Sequence, residues 1–358
     1  MIGVIMAGGK GTRLYPLTAN RPKPLVKVLG KPVIDYVNDA LLDAGVKEVI
    51  LTTGYQGEGL ASLVKEWNQQ KSGDFSVNNE ARPMGTAGSV KLLQDKLTDT
   101  FIVASGDAIL SSDLKKLISA HKLSKSKVTM ALWEVEDPTQ FGIVGLSSKR
   151  KGQIEANLSE GYITKFLEKP SLEDAFSNVI NAGLYIIEPE VLEHIPFDTK
   201  YDFSKDLFPK LLELGWPLYA KKLDGLWFDV GTPSELVRAQ NELIVKRLDL
   251  PFKIPSGEIT ADGGYIFDKA NSQSRVIKSV LCDQVLVGEN CEIEDSLIMN
   301  NSEVGDYTKI KSSVIGNNVT IGSECSLIGC VVGDNVSIKD KTNLVNIQVD
   351  SLIIDSIE

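Results

Sequence analysis

The sequence predicts an α/β fold with a parallel or mixed sheet, followed by a three-sided β-solenoid. In the first part of the chain, strand signals alternate with helix signals, which is typical of strand–helix–strand units. Near residue 230 the pattern changes, and apolar residues in the tail recur at intervals of 5, 6 and 6 residues, a period of 17. The 358 residues are enough for two domains, or for one large domain with an appendage.

The strands and helices of the first part follow from their apolar patterns. The opening MIGVIMA is almost entirely apolar and predicts a buried strand. Residues 32–45 carry apolar side chains at positions 33, 34, 37, 41 and 42, the stripe of an amphipathic helix that ends at Gly45. The remaining predicted elements are strands at 47–53, 101–107 and 128–135 and helices at 85–95 and 113–123. A sheet of this kind binds ligands at the carboxyl ends of its strands.

A helix that begins near residue 233 is predicted to close the first domain. Thr232 and Glu235 form a capping box, and Pro233 stands at the first helical position. Residues 249–275 are rich in Pro, Gly, Ser and Asp, a composition that indicates a connector. We therefore expect a first domain at 1–248, a linker at 249–275 and a repeat domain at 276–358.

The repeat is defined by its apolar positions. These are Val276, Leu281, Val287, Ile293, Ile298, Val304, Ile310, Ile315, Ile321, Leu327, Val332, Ile338, Leu344 and Val349. No α-helix has this rhythm, whereas a solenoid with one short strand on each of three faces does. The pattern resembles the hexapeptide-repeat left-handed β-helix, shortened by one residue per coil. The alternative is a set of ordinary hairpins.

Composition disfavours several classes of protein. A net charge of −10 is unfavourable for a nucleic-acid-binding protein, which needs a basic surface. No apolar run approaches the ~18 residues of a membrane span, and the first residues lack the basic region of a signal peptide. The four cysteines form no C-x-x-C pair, and Cys291 and Cys325 are expected to be packing residues two coils apart. We expect a cytoplasmic protein that binds neither nucleic acid nor membrane.

The loop after the first strand, Gly8 to Arg13, is the first candidate for a functional site. It does not fit the P-loop pattern, because Gly11 follows Lys10, nor the dinucleotide fingerprint, because Leu14 stands where a third glycine is needed. Two interpretations stay open. The loop could wrap a nucleotide, with amide groups toward the phosphates and positive charge from Arg13 and Lys23. It could also be a glycine turn with solvated basic residues.

The opening resembles the signature of the sugar-1-phosphate nucleotidylyltransferases, G-G-x-G-T-R-L-x-P-L-T followed by R-P-K-P-L and G-K-P. In this chain the three stretches are residues 8–18, 21–25 and 30–32. Further motifs of the family follow in order at 85–88, 106–107, 141–142, 168–170, 181–183 and 227–231. The resemblance covers about the first 235 residues, and many members carry a hexapeptide-repeat tail. The motifs look most like those of mannose-1-phosphate guanylyltransferases.

This resemblance implies a fold and a reaction. The fold is an α/β, Rossmann-like mixed-sheet nucleotidyltransferase domain followed by a C-terminal left-handed parallel β-helix. The reaction joins an NTP to a hexose 1-phosphate and releases pyrophosphate. The attacking phosphate oxygen is already an anion, so catalysis rests on charge neutralisation and positioning, and a chain with two histidines is sufficient.

The family's functional positions map onto this chain by motif. The resemblance assigns Mg²⁺ as cofactor, with Asp107 and Asp229 as its ligands. It assigns catalytic roles to Arg13, Lys23 and Lys169. The implied nucleotide-binding residues are Ala7, Gly8, Gly9, Gly11, Thr12, Glu80, Gly85 and Thr86, and the implied sugar-binding residues are Gly142, Glu168 and Asn181.

Glu80 bears on the choice of base. Thymidylyl- and uridylyltransferases of the family tend to have glutamine here, which offers a donor and an acceptor, whereas a carboxylate offers only acceptors. Guanine presents two adjacent N–H groups, so Glu80 favours GTP, and mannose 1-phosphate by association. The alternative is that Glu80 faces solvent and backbone groups near Gly85 read the base.

Other functions stay open at this point. The chain could be a glucose-1-phosphate thymidylyl- or uridylyltransferase, or a non-catalytic regulatory subunit that senses NDP-sugars. A second, acetyl-transferring activity is disfavoured, because no histidine follows His194. We expect the tail to assemble a homo-oligomer instead.

Overall fold

The computed structural model describes residues 1–54 and 57–350. The chain divides into two compact units, each made of two stretches of sequence. One unit contains Met1–Gly9 and Ile34–Trp227, and the other contains Lys10–Val33 and the residues from Phe228 onward. The loop from Gly8 to Arg13 is therefore divided between the units. Gly8 and Gly9 belong to the first unit, whereas Lys10 and Arg13 belong to the unit that contains the tail.

The first unit is built on a nine-stranded mixed sheet. In spatial order its strands are Asp74–Asn79, Glu48–Thr53, Ile2–Met6, Phe101–Ser105, Val179–Ile187, Val128–Glu134, Leu218–Lys222, Glu160–Glu168 and Gly142–Ser147. The first four of these run parallel to one another. The strand Val179–Ile187 then pairs antiparallel with both of its neighbours in that order. The predicted parallel or mixed sheet is thus confirmed as a mixed one.

Helices and one short strand complete this part of the chain. The α-helices are Val33–Asp43, Gly57–Gln70, Gly85–Lys91, Leu114–Ser124 and Phe208–Glu213. A 3₁₀-helix spans Pro189–His194, a π-helical turn spans Phe203–Leu207, and a strand spans Ala108–Ser111. Their apolar faces bury side chains such as Phe203 and Phe208 against the sheet residues Val103 and Met130. Burial of this apolar surface is the main stabilising contribution to the fold.

The second unit begins with Lys10–Val33, which contain most of the family signature and are called the signature segment below. It holds 3₁₀-helices at Thr12–Leu14 and Lys23–Leu25 and a small hairpin of Lys27–Val28 and Lys31–Pro32. The strand Leu226–Asp229 enters this unit at its end, and the helix Pro233–Val245 follows. Thr232 caps that helix as its sequence predicts, accepting a hydrogen bond from the Glu235 N–H at 3.2 Å.

Three sheets follow in the second unit, and their strands pair in parallel except for Gly257–Ile259, which pairs antiparallel. The first sheet contains Gly257–Ile259, Tyr265–Phe267, Val280–Leu281, Leu297–Ile298, Val314–Ile315, Val331–Val332 and Gln348–Val349. The second contains Asn271–Ser272, Leu286–Val287, Glu303–Val304, Thr320–Ile321 and Ser337–Ile338. The third contains Arg275–Ile277, Glu292–Glu294, Lys309–Lys311, Ser326–Ile328 and Asn343–Val345.

The register of these sheets follows the sequence period. Val276 pairs with Ile293, Ile293 with Ile310, and Ile310 with Leu327, each pair 17 residues apart. Their side chains form one buried core. The 17-residue period is confirmed, and the hairpin alternative is wrong, because the partners of each strand lie one full period away and run parallel.

Part of the segment 249–275 differs from the expected connector. Gly257–Ile259 pairs antiparallel with Tyr265–Phe267, which pairs parallel with Val280–Leu281. Tyr265 and Phe267 are buried, so two aromatic side chains outweigh the turn-forming residues around them. The parallel strand pairing of the tail therefore begins before Val276.

The four cysteines are free and buried, as expected of packing residues. In the column of Cys291 and Cys325, Thr308 lies between the two thiols, and its Oγ1 accepts a hydrogen bond from the Cys325 N–H at 3.1 Å. Burial raises the pKa of the Cys282 thiol to about 12. Among the described residues, no helix is long and apolar enough to cross a membrane.

Candidate active site

The signature segment is closed by contact between Gly11 and Lys23. Gly11 has φ +63°, and a Cβ atom there would lie 2.8 Å from the Cβ of Lys23. Thr18 also donates a hydrogen bond from Oγ1 to the Gly11 carbonyl at 2.9 Å. Glycine is required at position 11 both for its backbone conformation and for this close approach.

Lys23 is buried and paired with a carboxylate. Only 7% of the residue is exposed, and its Nζ lies 3.2 Å from Oδ1 of Asp229. Asp229 is the last residue of the strand Leu226–Asp229. The pair joins two stretches that are 206 residues apart in the sequence.

The guanidinium group of Arg13 lies close to the carboxylate of Asp229, beside Gly231. A Cβ atom on Gly231 would lie 3.0 Å from Oδ2 of Asp229 and 3.1 Å from Nη2 of Arg13. Arg13 itself is exposed, in the 3₁₀-helix Thr12–Leu14. The structure therefore brings together three of the sequence-predicted residues, two cations and a carboxylate, within one compact unit.

Asp107 occupies the end of a sheet strand in the other unit. It follows the strand Phe101–Ser105, and the Ser105 hydroxyl donates a hydrogen bond to its Oδ1 at 2.5 Å. Gly106 between them donates its N–H to the Met6 carbonyl at 2.9 Å, and a Cβ atom on Gly106 would lie 3.0 Å from that oxygen. The glycine lets the chain turn beside the neighbouring strand and places Asp107 at the carboxyl edge of the sheet.

The residues before Gly11 continue the first strand. Ala7 is buried, and its N–H donates to the Thr52 carbonyl at 2.8 Å. Gly8 and Gly9 are exposed, and a Cβ atom on Gly9 would meet no atom within 4 Å. Thr12 is also exposed. Of these predicted nucleotide-binding residues, Gly8, Gly9 and Thr12 are thus accessible and Ala7 is not.

The predicted base-reading residues are held by protein contacts. Oε2 of Glu80 accepts a hydrogen bond from the Met84 N–H at 3.1 Å, so the carboxylate closes the turn before the helix Gly85–Lys91. Gly85 has φ +76°, and a Cβ atom there would lie 2.6 Å from the Tyr201 carbonyl oxygen. The Thr86 hydroxyl donates to Oδ2 of Asp202 at 2.9 Å. The stretch from Gly85 to Gly88 is therefore shaped to pack against the backbone near Tyr201.

The predicted sugar-binding residues form a polar cluster in the first unit. Gly142 pairs with Glu168 across two antiparallel strands, and a Cβ atom on Gly142 would lie 2.7 Å from Oε2 of Glu168. Asn181 donates from Nδ2 to the hydroxyls of Tyr185, at 2.8 Å, and Ser204, at 3.2 Å. The sequence analysis did not identify Tyr185 or Ser204.

Glu168 has a perturbed titration. Burial raises the pKa of its carboxyl group, and the nearby negative charge of Asp202 adds to the rise. The positive charges of Lys169 and Lys205 oppose it. Lys169 itself is exposed, has φ +49°, and donates its N–H to the Phe141 carbonyl at 2.9 Å. A partly buried carboxylate and an amide are the groups that recognise hydroxyls, and a lysine beside them suits a phosphate.

Asp202 is a third residue of this cluster that the sequence motifs do not identify. Its Oδ1 accepts hydrogen bonds from the N–H groups of Ser204, at 2.9 Å, and Lys205, at 3.1 Å, which caps the helical turn Phe203–Leu207. The capping pattern Asp-x-Ser was a readable local signal. The proximity of Asp202 to Glu168 depends on the pairing of distant strands and could not be predicted from the local sequence.

The metal-ligand prediction rests on donor chemistry. Asp107 and Asp229 both offer carboxylate oxygens, and Mg²⁺ characteristically takes one or two carboxylates together with substrate phosphates. Within residues 1–54 and 57–350 there is no group of three or more His, Cys, Asp or Glu that could hold a metal ion. Each of the two carboxylates, taken by itself, is of the chemical type that Mg²⁺ binds together with a phosphate ligand.

Comparison with known proteins identifies the family. A model described as nucleotidyl transferase matches residues 2–245, and a model described as GMPPB C-terminal domain matches residues 270–352. The chain belongs to the nucleotidyl transferase family. The resemblance inferred from the motifs is confirmed.

Similar proteins bear consistent names. A mannose-1-phosphate guanylyltransferase 1 of Arabidopsis thaliana is 32% identical over 82% of this chain and 74% of that protein. The catalytic subunit beta of mannose-1-phosphate guanylyltransferase from Xenopus tropicalis is 35% identical, and the mannose-1-phosphate guanyltransferase of Saccharomyces cerevisiae is 34% identical. Each of the last two matches covers 66% of this chain and 63% of the relative, which is less than two thirds of its length.

A solved structure shares the fold. The crystal structure of UDP-glucose pyrophosphorylase complexed with UDP-glucose superposes with a TM-score of 0.58 and 22% sequence identity. The match covers 69% of this chain and 99% of that one.

We predict that Glu168→Gln stabilises the protein at neutral pH. Because the pKa of Glu168 is raised in the folded state, the fold binds its proton more tightly than the unfolded chain does, and stability is lost as the pH rises through the raised pKa. Glutamine removes that loss. The melting temperature of the variant should exceed that of wild type at pH 7, and the difference should disappear below pH 4.5, the ordinary value.

Glu155→Gln is the matched control with the opposite sign. The Ser148 hydroxyl and N–H donate hydrogen bonds to Glu155 and, with the Ser147 hydroxyl, hold the pKa of its carboxyl group below its usual value. Its neutralisation should lower the melting temperature at pH 7. A Glu168→Gln variant that melts at or below the wild-type temperature at pH 7 would contradict the burial argument.

Proposed function

We propose that this protein transfers a guanylyl group from GTP to mannose 1-phosphate and forms GDP-mannose and pyrophosphate. The observation that carries the proposal is the cluster of Arg13, Lys23 and Asp229 around Gly231. Two cations and a carboxylate converge in a segment of the family's signature, which suits an anionic polyphosphate. The names of the relatives support the same substrates.

The reaction needs no protein nucleophile. An oxygen of the sugar phosphate, already an anion, forms a bond to the α-phosphorus of GTP, and the bond from that phosphorus to the bridging oxygen of pyrophosphate breaks. The two histidines have other roles in the fold. His121 is buried and hydrogen-bonded to Thr129 and Glu188, at 2.8 and 2.9 Å, and the ring of His194 lies 4.5 Å from that of Trp216.

The cations act on the leaving group. In the proposed mechanism Arg13 contacts the triphosphate and stabilises the negative charge that accumulates on pyrophosphate, and Lys23 shares this role. Asp107 and Asp229 would hold Mg²⁺, which when bound neutralises phosphate charge and orients the reacting oxygens. Lys169 would bind the phosphate of the incoming sugar.

The remaining predicted residues bind the substrates. We assign the sugar hydroxyls to Gly142, Glu168 and Asn181. We assign the nucleotide to the backbone of Ala7, Gly8, Gly9, Gly11 and Thr12 and to the segment that holds Glu80, Gly85 and Thr86. Because Oε2 of Glu80 already accepts from the Met84 N–H, recognition of guanine would use the carboxylate in a position that this turn fixes.

Further parts of the proposal concern organisation. We propose a catalytic domain at 1–248 and a tail that winds as a left-handed parallel β-helix and assembles a homo-oligomer. We also propose that the protein is cytoplasmic. The 17-residue register supports a β-helix, and the match to nucleotidyl transferases over residues 2–245 supports the catalytic domain.

The test is a pyrophosphate-release assay with each of four NTPs and a panel of sugar 1-phosphates. Turnover with GTP and mannose 1-phosphate is expected. Turnover with dTTP or UTP and glucose 1-phosphate would reassign the substrates. No turnover with any pair, together with tight binding of an NDP-sugar, would identify a non-catalytic sensor.

We predict that Asp107→Asn lowers the turnover number by about a hundredfold or more, because the proposed metal loses a charged ligand. GTP binding should persist at reduced affinity, measured by titration calorimetry. Asp113→Asn is the control: Asp113 accepts a hydrogen bond from the Lys115 N–H at 3.0 Å, and asparagine keeps that cap. Near-normal turnover of Asp107→Asn would remove Asp107 from the metal site.

We predict that Glu80→Gln shifts the base preference. A carboxamide cannot accept from both N–H groups of guanine, so the ratio of kcat/KM for GTP to that for UTP should fall by about tenfold. Glu66→Gln, an exposed change on the helix Gly57–Gln70, should leave this ratio unchanged. An unaltered ratio in Glu80→Gln would assign base reading to other groups.

A further inference from the structure

The last strands of the tail contact the segment that bears Arg13 and Lys23. Arg21 forms an ion pair with Asp334, and the Tyr15 hydroxyl donates a hydrogen bond to Asp350. Between these contacts, a Cβ atom on Gly333 would lie 3.2 Å from the Cβ of Pro16. All of these residues belong to the same compact unit.

Asp334 is fixed by its own coil. Its Oδ1 accepts hydrogen bonds from the N–H of Asn317 at 2.9 Å and from Nδ2 of the same residue at 3.0 Å. Its Oδ2 pairs with Arg21, and the two side chains are only 22% and 13% exposed. Removing one partner of a shielded ion pair costs more than removing one partner of an exposed pair, because the other charge is left partly buried without its counter-ion.

Two other aspartates of the tail form the same capping interaction on the solvent-exposed surface. Oδ1 of Asp340 accepts from the Ser323 N–H at 2.8 Å, and Oδ1 of Asp306 accepts from the Glu289 N–H at 2.8 Å. Both of these aspartates are exposed. The coil needs an acceptor at such positions, but the burial of Asp334 against Arg21 exceeds what the coil itself requires.

The contacts flank the proposed catalytic cations. Tyr15 and Pro16 follow the 3₁₀-helix that holds Arg13, and Arg21 stands two residues before Lys23. A short irregular segment loses conformational freedom when its ends are held, and a catalytic cation contributes most when its position is fixed before the substrate binds. Contacts at both flanks meet this requirement.

We propose that Asp334 and Asp350, through Arg21 and Tyr15, are positioning residues that make the end of the tail a part of the catalytic apparatus. This inference rests on the proposed nucleotidyl transfer for its kinetic consequences. The tail then has a function within one chain: its last coils set the position of Arg13 and Lys23 toward the nucleotide phosphates.

The test compares Asp334→Asn with Asp340→Asn in the full chain. Asparagine keeps the Oδ1 acceptor in both, so both coils keep their cap, but only Asp334→Asn loses the charge that pairs with Arg21. In pyrophosphate release, Asp334→Asn should lower kcat by about tenfold and raise the KM for GTP, with the KM for mannose 1-phosphate unchanged. Asp340→Asn should match wild type in all three constants.

Substitutions of Arg21 test the same ion pair from its other side. Arg21→Gln should reproduce the loss, Arg21→Lys should restore most of the rate by keeping a positive charge, and Arg21→Gln with Asp334→Asn should be no worse than either alone. Rates within about twofold of wild type in both Arg21→Gln and Asp334→Asn would overturn the proposal.

Hydrogen exchange separates this inference from the proposed function. Amide exchange in peptides that cover residues 10–25 should accelerate in Asp334→Asn and not in Asp340→Asn. If wild type lacks nucleotidyl transfer, the proposed function fails, and the exchange comparison still decides whether the tail orders this segment. Equal exchange in the two variants would overturn the positioning role.

Discussion

Lys23 holds its ammonium group in the interior of the protein, 3.2 Å from the carboxylate of Asp229. A buried charge is costly unless it is paired, so this contact restricts both stretches of chain that supply it. The close packing at Gly11 and Gly231 follows from that restriction, because a Cβ atom at either position would meet the residues of this cluster. Arg13, although exposed, is thereby held beside the pair. The arrangement concentrates charge where a polyphosphate would need it.

In the polar cluster of the first unit, by contrast, the charge of Glu168 is unfavourable for the stability of the fold. Glu168 is a carboxyl group whose raised pKa reports an unfavourable environment for its charge. Gly142 pairs with Glu168 on the neighbouring strand and has no room for a side chain, because a Cβ atom there would lie 2.6 Å from Cζ of Phe166 and 2.7 Å from Oε2 of Glu168. A partly buried carboxyl group with a raised pKa is typical of a binding site, and recognition of hydroxyls would explain why its cost to stability is tolerated.

Much of the fold could be predicted from local patterns, and much of the site could not. The strands at Ile2–Met6, Phe101–Ser105 and Val128–Glu134, the helix Val33–Asp43 and the 17-residue register all follow from apolar periodicity. Local patterns do not predict three strands of the sheet, because their pairing is set by distant segments: Gly142–Ser147, Glu160–Glu168 and Val179–Ile187. The contact of Ser204 with Asn181 depends on that pairing. The ion pair of Arg21 with Asp334 joins residues at opposite ends of the chain, and no local signal marks it.

We infer that the buried ammonium group of Lys23, paired with the partly buried carboxylate of Asp229, contacts nucleotide phosphate. The most direct measurement is turnover of Lys23→Gln by pyrophosphate release, together with its GTP affinity in Mg²⁺ and its circular dichroism spectrum. Our account predicts a folded protein whose turnover number falls by about a hundredfold and whose GTP affinity is weakened. A folded Lys23→Gln variant with wild-type turnover and affinity would contradict it.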